Sequence, residues 1–307
     1  MVEKFQEKVQ GAFLGFALGD AMGMPVKGLS PQEANLFFKD GISPRDGVKL
    51  KAGQFTSHTL MLLKTTESFL EKGGFDPQDI AQRALAVFDE GIFRGMGSST
   101  QAALKRIKRG LPWQKAGDYG PLAIGRGALM RTLPVALWTI FHPEKVQEMA
   151  ATAAMITHQS DEAISSSLAF AIALQDAFQG QIRGLFSRCL KEVKGTRTFI
   201  KLKQAQDLLR RRVSPPEAIQ TLGNSGTASE VVSSAIYSFY YFPSSFRDVL
   251  SGPLLAGGDA PAVGAIAGAL SGAYLGLSKI PGEWLNLLEK KEEILSLSER
   301  FAEKIPN

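Results

Sequence analysis

Two stretches of this chain place glycine at every fourth position, and no other feature limits its fold as strongly. In residues 257–277, GGDAPAVGAIAGALSGAYLGL, the series is Gly264, Gly268, Gly272 and Gly276. In a helix that spacing puts all four on one narrow stripe. A stripe without side chains lets a second helix approach until backbones touch. Each interior glycine costs roughly 1 kcal/mol relative to alanine, so four of them imply that the close approach is needed. Residues 11–23, GAFLGFALGDAMG, repeat the device with Gly11, Gly15, Gly19 and Gly23. The two stripes can pack on each other, or each can meet another element. Mutual packing would bring Asp20 and the loop after Gly23 close to Asp259, which precedes the second stripe on a tight loop.

Either stretch could be mistaken for a membrane segment. The segment from Ala260 to Ser278 is uncharged, but it holds Pro261, repeated glycines and few bulky residues, so it reads as a buried helix. The apolar run from Gly11 to Gly19 is flanked by Glu3, Glu7 and Asp20, which argues against a secretion signal. The only cysteine, Cys189, excludes an internal disulfide, and a cytoplasmic protein is expected. The formal net charge of +5 allows an anionic ligand without requiring nucleic acid. Between Arg183 and Arg212, ten Lys or Arg face Glu192 and Asp207. No aromatic residues are interleaved as a base-stacking platform would need, so this is read as a solvated helical face.

Helix signals dominate the rest. Ser30-Pro31, Asp76-Pro77 and Ser214-Pro215 read as N-caps followed by proline in the first turn. Helical apolar spacing covers residues 59–72, 77–90, 99–109, 127–141, 144–156, 161–179, 181–194, 205–212, 227–241 and 283–303. RTFIKLK at 197–203 is the one strand-like piece. The expectation is an all-α orthogonal bundle of about a dozen helices, and residues 1–307 form a single domain.

Four polar loops interrupt this pattern. GQFTSHTLM (53–61) sets Thr56, Ser57, His58 and Thr59 at a helix start, where a capping hydroxyl or an anion is favoured. RGMGSST (94–100) and GRGALMR (125–131) also open helices, and THQSDEA (157–163) places His158 before a helix start. GRGALMR lacks the third glycine and the preceding strand of a dinucleotide fingerprint. The series GAFLGFALGDAMG, GQFTSHTLM, RGMGSST, GRGALMR, THQSDEA and GGDAPAVGAIAGALSGA, in this order over residues 8–277, resembles the ADP-ribosylglycohydrolase family.

That resemblance implies an all-α fold with a central cleft, a pair of magnesium ions, and cleavage of an ADP-ribose N- or O-glycosidic bond. The metal positions it implies are Thr56, Ser57, His58, Asp259, Pro261 and Ala262. The family's Thr-Asp-Asp-Thr is here Thr56, Ser57, His58, Thr59, and its Gly-Gly-Asp-Thr-Asp-Thr is here Gly257, Gly258, Asp259, Ala260, Pro261, Ala262. Lys27 lies nearest to a glutamate that some members use. Magnesium is held by hard oxygen ligands, mostly carboxylates, and two adjacent dications need several negative charges. No magnesium is therefore expected to bind, and no residue is assigned as catalytic. The ligand side is better kept: Gly97, Ser98, Gly125, Arg126, Gly127, Met130 and His158 match positions that approach the diphosphate and its ribose, with Arg126 in place of the usual asparagine.

The function expected is a catalytically impaired family member that keeps a pocket for ADP-ribose or a related nucleotide, free or on an ADP-ribosylated protein, with no nucleic acid or membrane partner. An active hydrolase with altered metal use is the alternative, holding a softer ion through His58, His158 and Asp259. A structural protein reusing the fold is a further alternative.

Overall fold

The computed structural model describes residues 2–91, 94–120 and 123–306. Helix α1 (Val2–Gly23) and helix α15 (Ala260–Leu275) run antiparallel through the centre, stripe against stripe. A Cβ added to Gly15 would come to 2.2 Å from the carbonyl oxygen of Gly268, and one on Gly19 to 2.0 Å from that of Gly264. Gly11 meets Gly272 and Gly23 meets Pro261 in the same way. Mutual packing of the two stripes is therefore what the chain does. From Gly11 to Gly23 in α1, and along α15 up to Ala273, the two helices are almost wholly apolar and buried, as helical segments enclosed on every side must be.

The other helices wrap this pair. After α1 come α2 (Pro31–Phe37), α3 (Ser57–Lys72), α4 (Pro77–Asp89), α5 (Ser98–Lys108) and α6 (Trp113–Ala116). Next are α7 (Thr132–Trp138), α8 (Val146–Met155), α9 (Asp161–Gln179), α10 (Leu185–Glu192) and α11 (Arg197–Arg210). Helices α12 (Pro215–Leu222), α13 (Ala228–Tyr241) and α14 (Phe246–Ala256) lead to α15, followed by α16 (Gly282–Leu285) and α17 (Lys291–Lys304). Among the described residues there is no named strand, so the all-α expectation holds. Helices α9, α13, α14 and α17 pack directly on the central pair. An aromatic cluster of Phe13, Phe69, Trp138 and Phe301 ties α1, α3, α7 and α17 together, with ring centroids 5.0 to 5.9 Å apart. None of the described helices is long and apolar enough to cross a membrane.

Several local expectations are corrected. RTFIKLK is the first half of α11, not a strand. Its buried positions, Thr198, Leu202, Ala205 and Leu208, follow helical spacing, and Thr196 caps the helix by accepting from the Phe199 amide. The stretch 127–141 is split into a 3-10 turn, Arg126–Arg131, and α7. Pro134 has no N–H to give to the carbonyl of Met130, so one regular α-helix cannot run through. The stretch 283–303 is broken between α16 and α17, where the Glu289 amide donates to the carbonyl of Gly53. Helix α14, with Pro253 inside it, lies in a segment without a clean period. Ser30 and Asp76 cap their helices, whereas the Ser214 side chain makes no capping bond.

Replacing Gly15 or Gly268 with valine should lower unfolding free energy by at least about 3 kcal/mol, because the added side chain meets rigid backbone. Gly74→Ala, where an added Cβ has no neighbour within 4 Å, should stay within about 0.5 kcal/mol. Denaturant unfolding of the three variants reads both outcomes.

Candidate functional site

The central pair fixes the site because loops at one of its ends carry the polar residues. Asp20, in the last turn of α1, is fully buried. Its carboxylate accepts from the amide and hydroxyl of Thr56, at 2.9 and 2.8 Å, and from those of Thr59, at 3.2 and 2.8 Å. The His58 Nδ1 lies 3.3 Å away. The anion at the start of α3 is thus the chain's own aspartate. Burial alone would raise the Asp20 carboxyl, but His58 and the donors from Thr56 and Thr59 outweigh it and hold it below the usual value. Thr56 also caps α3 by accepting from the His58 amide.

Backbone bonds stitch the remaining loops to this end. The Gly28 amide donates to the Gly258 carbonyl at 2.7 Å, and the Gly258 amide to Leu29 at 3.0 Å. These bonds set Lys27, just after α1, beside Asp259, the N-cap of α15. Lys27 Nζ is 3.9 Å from Asp259 Oδ1, and Arg126 Nε is 2.6 Å from Oδ2. The arginine contact is an ion pair without hydrogen-bond alignment, and both buried Asp259 oxygens lack a hydrogen bond. Partial burial lowers the Lys27 ammonium pKa, and Arg126 adds to the effect, while Asp259 and Asp20 oppose it.

A loop absent from the sequence reading positions this cluster. Asn224 accepts from the Asp259 amide at 3.0 Å and donates to the Gly257 carbonyl at 2.6 Å. The Arg126 amide donates to Gly226, and Gly125 bridges to Thr227. Glu230 pins the loop through the amide and hydroxyl of Ser225. The signal was present in GNSGTASE, a breaker cluster followed by a Thr-x-x-Glu helix start.

A cavity of about 90 Å³ brings together Ser57, His58, Gly97, Ser98, Gly125, Arg126, Gly127, Met130 and His158. It opens past Gly97 and Arg126 towards a cleft of about 440 Å³ lined by Lys27, Asn224, Ser225 and Asp259. Pro261 and Ala262 line neither space; both are buried in the first turn of α15, Pro261 against Gly23. The Gly97 cap leaves the first amides of α5 without a side-chain partner, so this helix presents its positive end to the cavity. Among the described residues, no three His, Cys, Asp or Glu side chains converge.

The tautomer of His158 follows from its partners. The buried Arg131 donates through Nη2 to the Thr157 hydroxyl at 2.6 Å. That oxygen lies 2.8 Å from His158 Nδ1. Arginine can only donate, so the Thr157 proton is free to go to Nδ1. The ring proton then sits on Nε2, on the side of Gly125 and Gly127. A Cβ on Gly127 would meet the Thr100 hydroxyl at 2.3 Å and the imidazole at 2.9 Å, so glycine there keeps this face of the ring clear. Burial, with Arg131 beside it, pushes His158 down to about 3. It is a neutral donor, N–H towards the cavity.

The folded protein holds His158 unprotonated where an unfolded chain would protonate it. Stability is therefore complete above the ordinary value of 6.5 and is lost as pH falls from there towards about 3. His158→Gln, uncharged throughout, should show a shallower loss than the parent protein when thermal melts are run between those limits.

The ADP-ribosylglycohydrolase family model matches residues 1–307. An uncharacterized protein of Archaeoglobus fulgidus is 32% identical, with 97% of each chain covered. The ADP-ribosyl-[dinitrogen reductase] glycohydrolase of Rhodospirillum rubrum is 28% identical, with 94% of this chain and 92% of the other covered. ADP-ribosylarginine hydrolase Tri1 of Pseudomonas putida is 24% identical over 99% of this chain and 80% of its own. A solved ADP-ribosylglycohydrolase-related protein complex superposes with a TM-score of 0.77 at 29% identity, covering 99% of this chain and 100% of its own. The chain belongs to the ADP-ribosylglycohydrolase family.

Proposed function

We propose that this chain binds ADP-ribose or a related nucleotide, free or attached to a protein, and hydrolyses it poorly or not at all. The observation that carries this reading is the state of Asp259. Its carboxylate already faces two positive side chains, Arg126 at 2.6 Å and Lys27 at 3.9 Å. Adding two magnesium ions beside them would set like charges together in a partly buried space. The second carboxylate of this region, Asp20, has its oxygens taken up by Thr56 and Thr59. Ser57 and His58 bring no negative charge, and the side chains of Pro261 and Ala262 bring no ligand atom. The residues present do not fit a magnesium pair.

The pocket side supports ligand binding. The open N-terminus of α5, the Arg126 guanidinium and the His158 Nε2–H face one cavity, and each favours an anionic oxygen. A diphosphate with its adjoining ribose suits that set. A softer ion on His58, His158 and Asp259 is less well supported. His58 faces Asp20, the Nδ1 of His158 is taken by Thr157, and Asp259 is paired with cations.

ADP-ribose in excess over its dissociation constant should raise the melting temperature by several degrees, since ligand at a hundredfold excess adds about 2.7 kcal/mol. The shift should be the same in magnesium and in EDTA. A shift that appears only with magnesium, or release of ADP-ribose from a modified protein at the rate of an active hydrolase, would sink the proposal.

A further inference from the structure

Arg126 stands between two spaces. It lines the inner cavity of about 90 Å³, which it shares with Ser98 and His158, and the outer cleft of about 440 Å³, which it shares with Lys27. Its guanidinium is engaged with Asp259, Nε to Oδ2 at 2.6 Å, yet among the described residues it makes no hydrogen bond. The Asp259 carboxylate oxygens make none either, and both are buried, so their counterion has to come from the protein. Gly226 lies against both partners: an added Cβ would come to 2.8 Å from Asp259 Oδ2 and 3.1 Å from Arg126 Nη1. The pair is closed on that side, and the guanidinium is free towards the spaces it lines. The charges nearby do not leave an excess. Lys27 has Arg126, Asp259, Asp20 and Lys49 around it. Asp20 is held by donors from Thr56 and Thr59 and faces His58. Asp259 is thus the carboxylate without donors, and it has two cations at unequal distances, Arg126 at 2.6 Å and Lys27 at 3.9 Å.

A fork of N–H groups without hydrogen bonds suits a phosphate, which accepts two of them at once. When Arg126 turns to a diphosphate in the inner cavity, Asp259 loses its nearer cation. A buried carboxylate left without a partner is strongly unfavourable, so a second cation has to close on it. Lys27 is 30% exposed and stands short of full contact, with room to do so. Resting on the ADP-ribose reading above, we propose a counterion hand-over: the diphosphate takes the guanidinium of Arg126, and the Lys27 ammonium closes on Asp259 in its place. Lys27 is then a positioning residue. It does not touch the diphosphate, and it sets the affinity by releasing Arg126 from Asp259.

Isothermal titration of the full chain with ADP, which keeps the diphosphate and lacks the distal sugar, tests this. Lys27→Gln should weaken ADP binding about tenfold, and Lys27→Arg should restore it to within about threefold, as expected for one charge-assisted contact. Asp259→Asn should tighten ADP binding, because Arg126 is then free before the ligand arrives. In the Asp259→Asn background, Lys27→Gln should change the affinity by less than about twofold. That comparison separates the hand-over from plain attraction between Lys27 and the ligand, which does not depend on Asp259. A Lys27→Gln loss that is absent in the parent background, or equally large in both backgrounds, overturns the hand-over. Asp259→Asn, of nearly the same shape, keeps the test standing should Lys27→Gln fail to fold: ADP binding that is no tighter in it also overturns the hand-over. Each of these results leaves the ADP-ribose reading in place. Failure of both ADP and ADP-ribose to bind the unmodified chain overturns the hand-over and the reading beneath it.

Discussion

The two loops that carry Lys27 and Asp259 are brought together by a contact that involves no side chain. Backbone lies on backbone where Gly15 and Gly19 of α1 meet Gly268 and Gly264 of α15. Helices with ordinary side chains sit 8–10 Å apart, and such a gap here would draw the loop carrying Lys27 away from the loop carrying Asp259. The exchange of amides between Gly28, Leu29 and Gly258 needs the two loops within hydrogen-bond reach. The stripes therefore serve the site as well as the core.

The cation cluster shows how a charged cavity can keep its balance when its ligand set changes. Asp259 is buried, and a buried carboxylate without positive company is strongly unfavourable. Arg126 and Lys27 supply that company from loops that α1 and the 224–227 loop hold in place. Under the reading proposed above, the chain meets the electrostatic demand of Asp259 with its own side chains. It then has no use for the negative charges that ions would need, and Ser57, His58, Pro261 and Ala262 fit that arrangement. Under the same reading, the side that would take a diphosphate answers to a different constraint, the open start of α5 and the donor nitrogen of His158.

Much of this was legible in the sequence where a residue's role depends on spacing. The glycine series announced the seam, and the order of the polar loops announced the cavity that unites Gly97, Arg126 and His158. The sequence was least informative where the role depends on an unrelated neighbour. Asn224 matters because its amide bridges Gly257 and Asp259, far along the chain. Arg131 looks like a surface cation and is fully buried, holding Thr157 and two carbonyls. RTFIKLK alternates like a strand, yet its apolar residues also satisfy a helical period, and packing on α13 decides between them. Lys27 and Arg126 were visible as departures from the family pattern, but that they converge on one carboxylate emerges only in three dimensions.

The seam also dictates when this protein can become itself. Gly11 touches Gly272, and Gly19 touches Gly264, so the tightest neighbours in space are among the most remote along the chain. Loop closure over such distances is slow. During synthesis α1 emerges long before α15, and its apolar, glycine-striped half, residues 11–23, waits without its mate while α2 to α14 are made. The newborn chain must keep an adhesive segment from straying until its distant partner has been made.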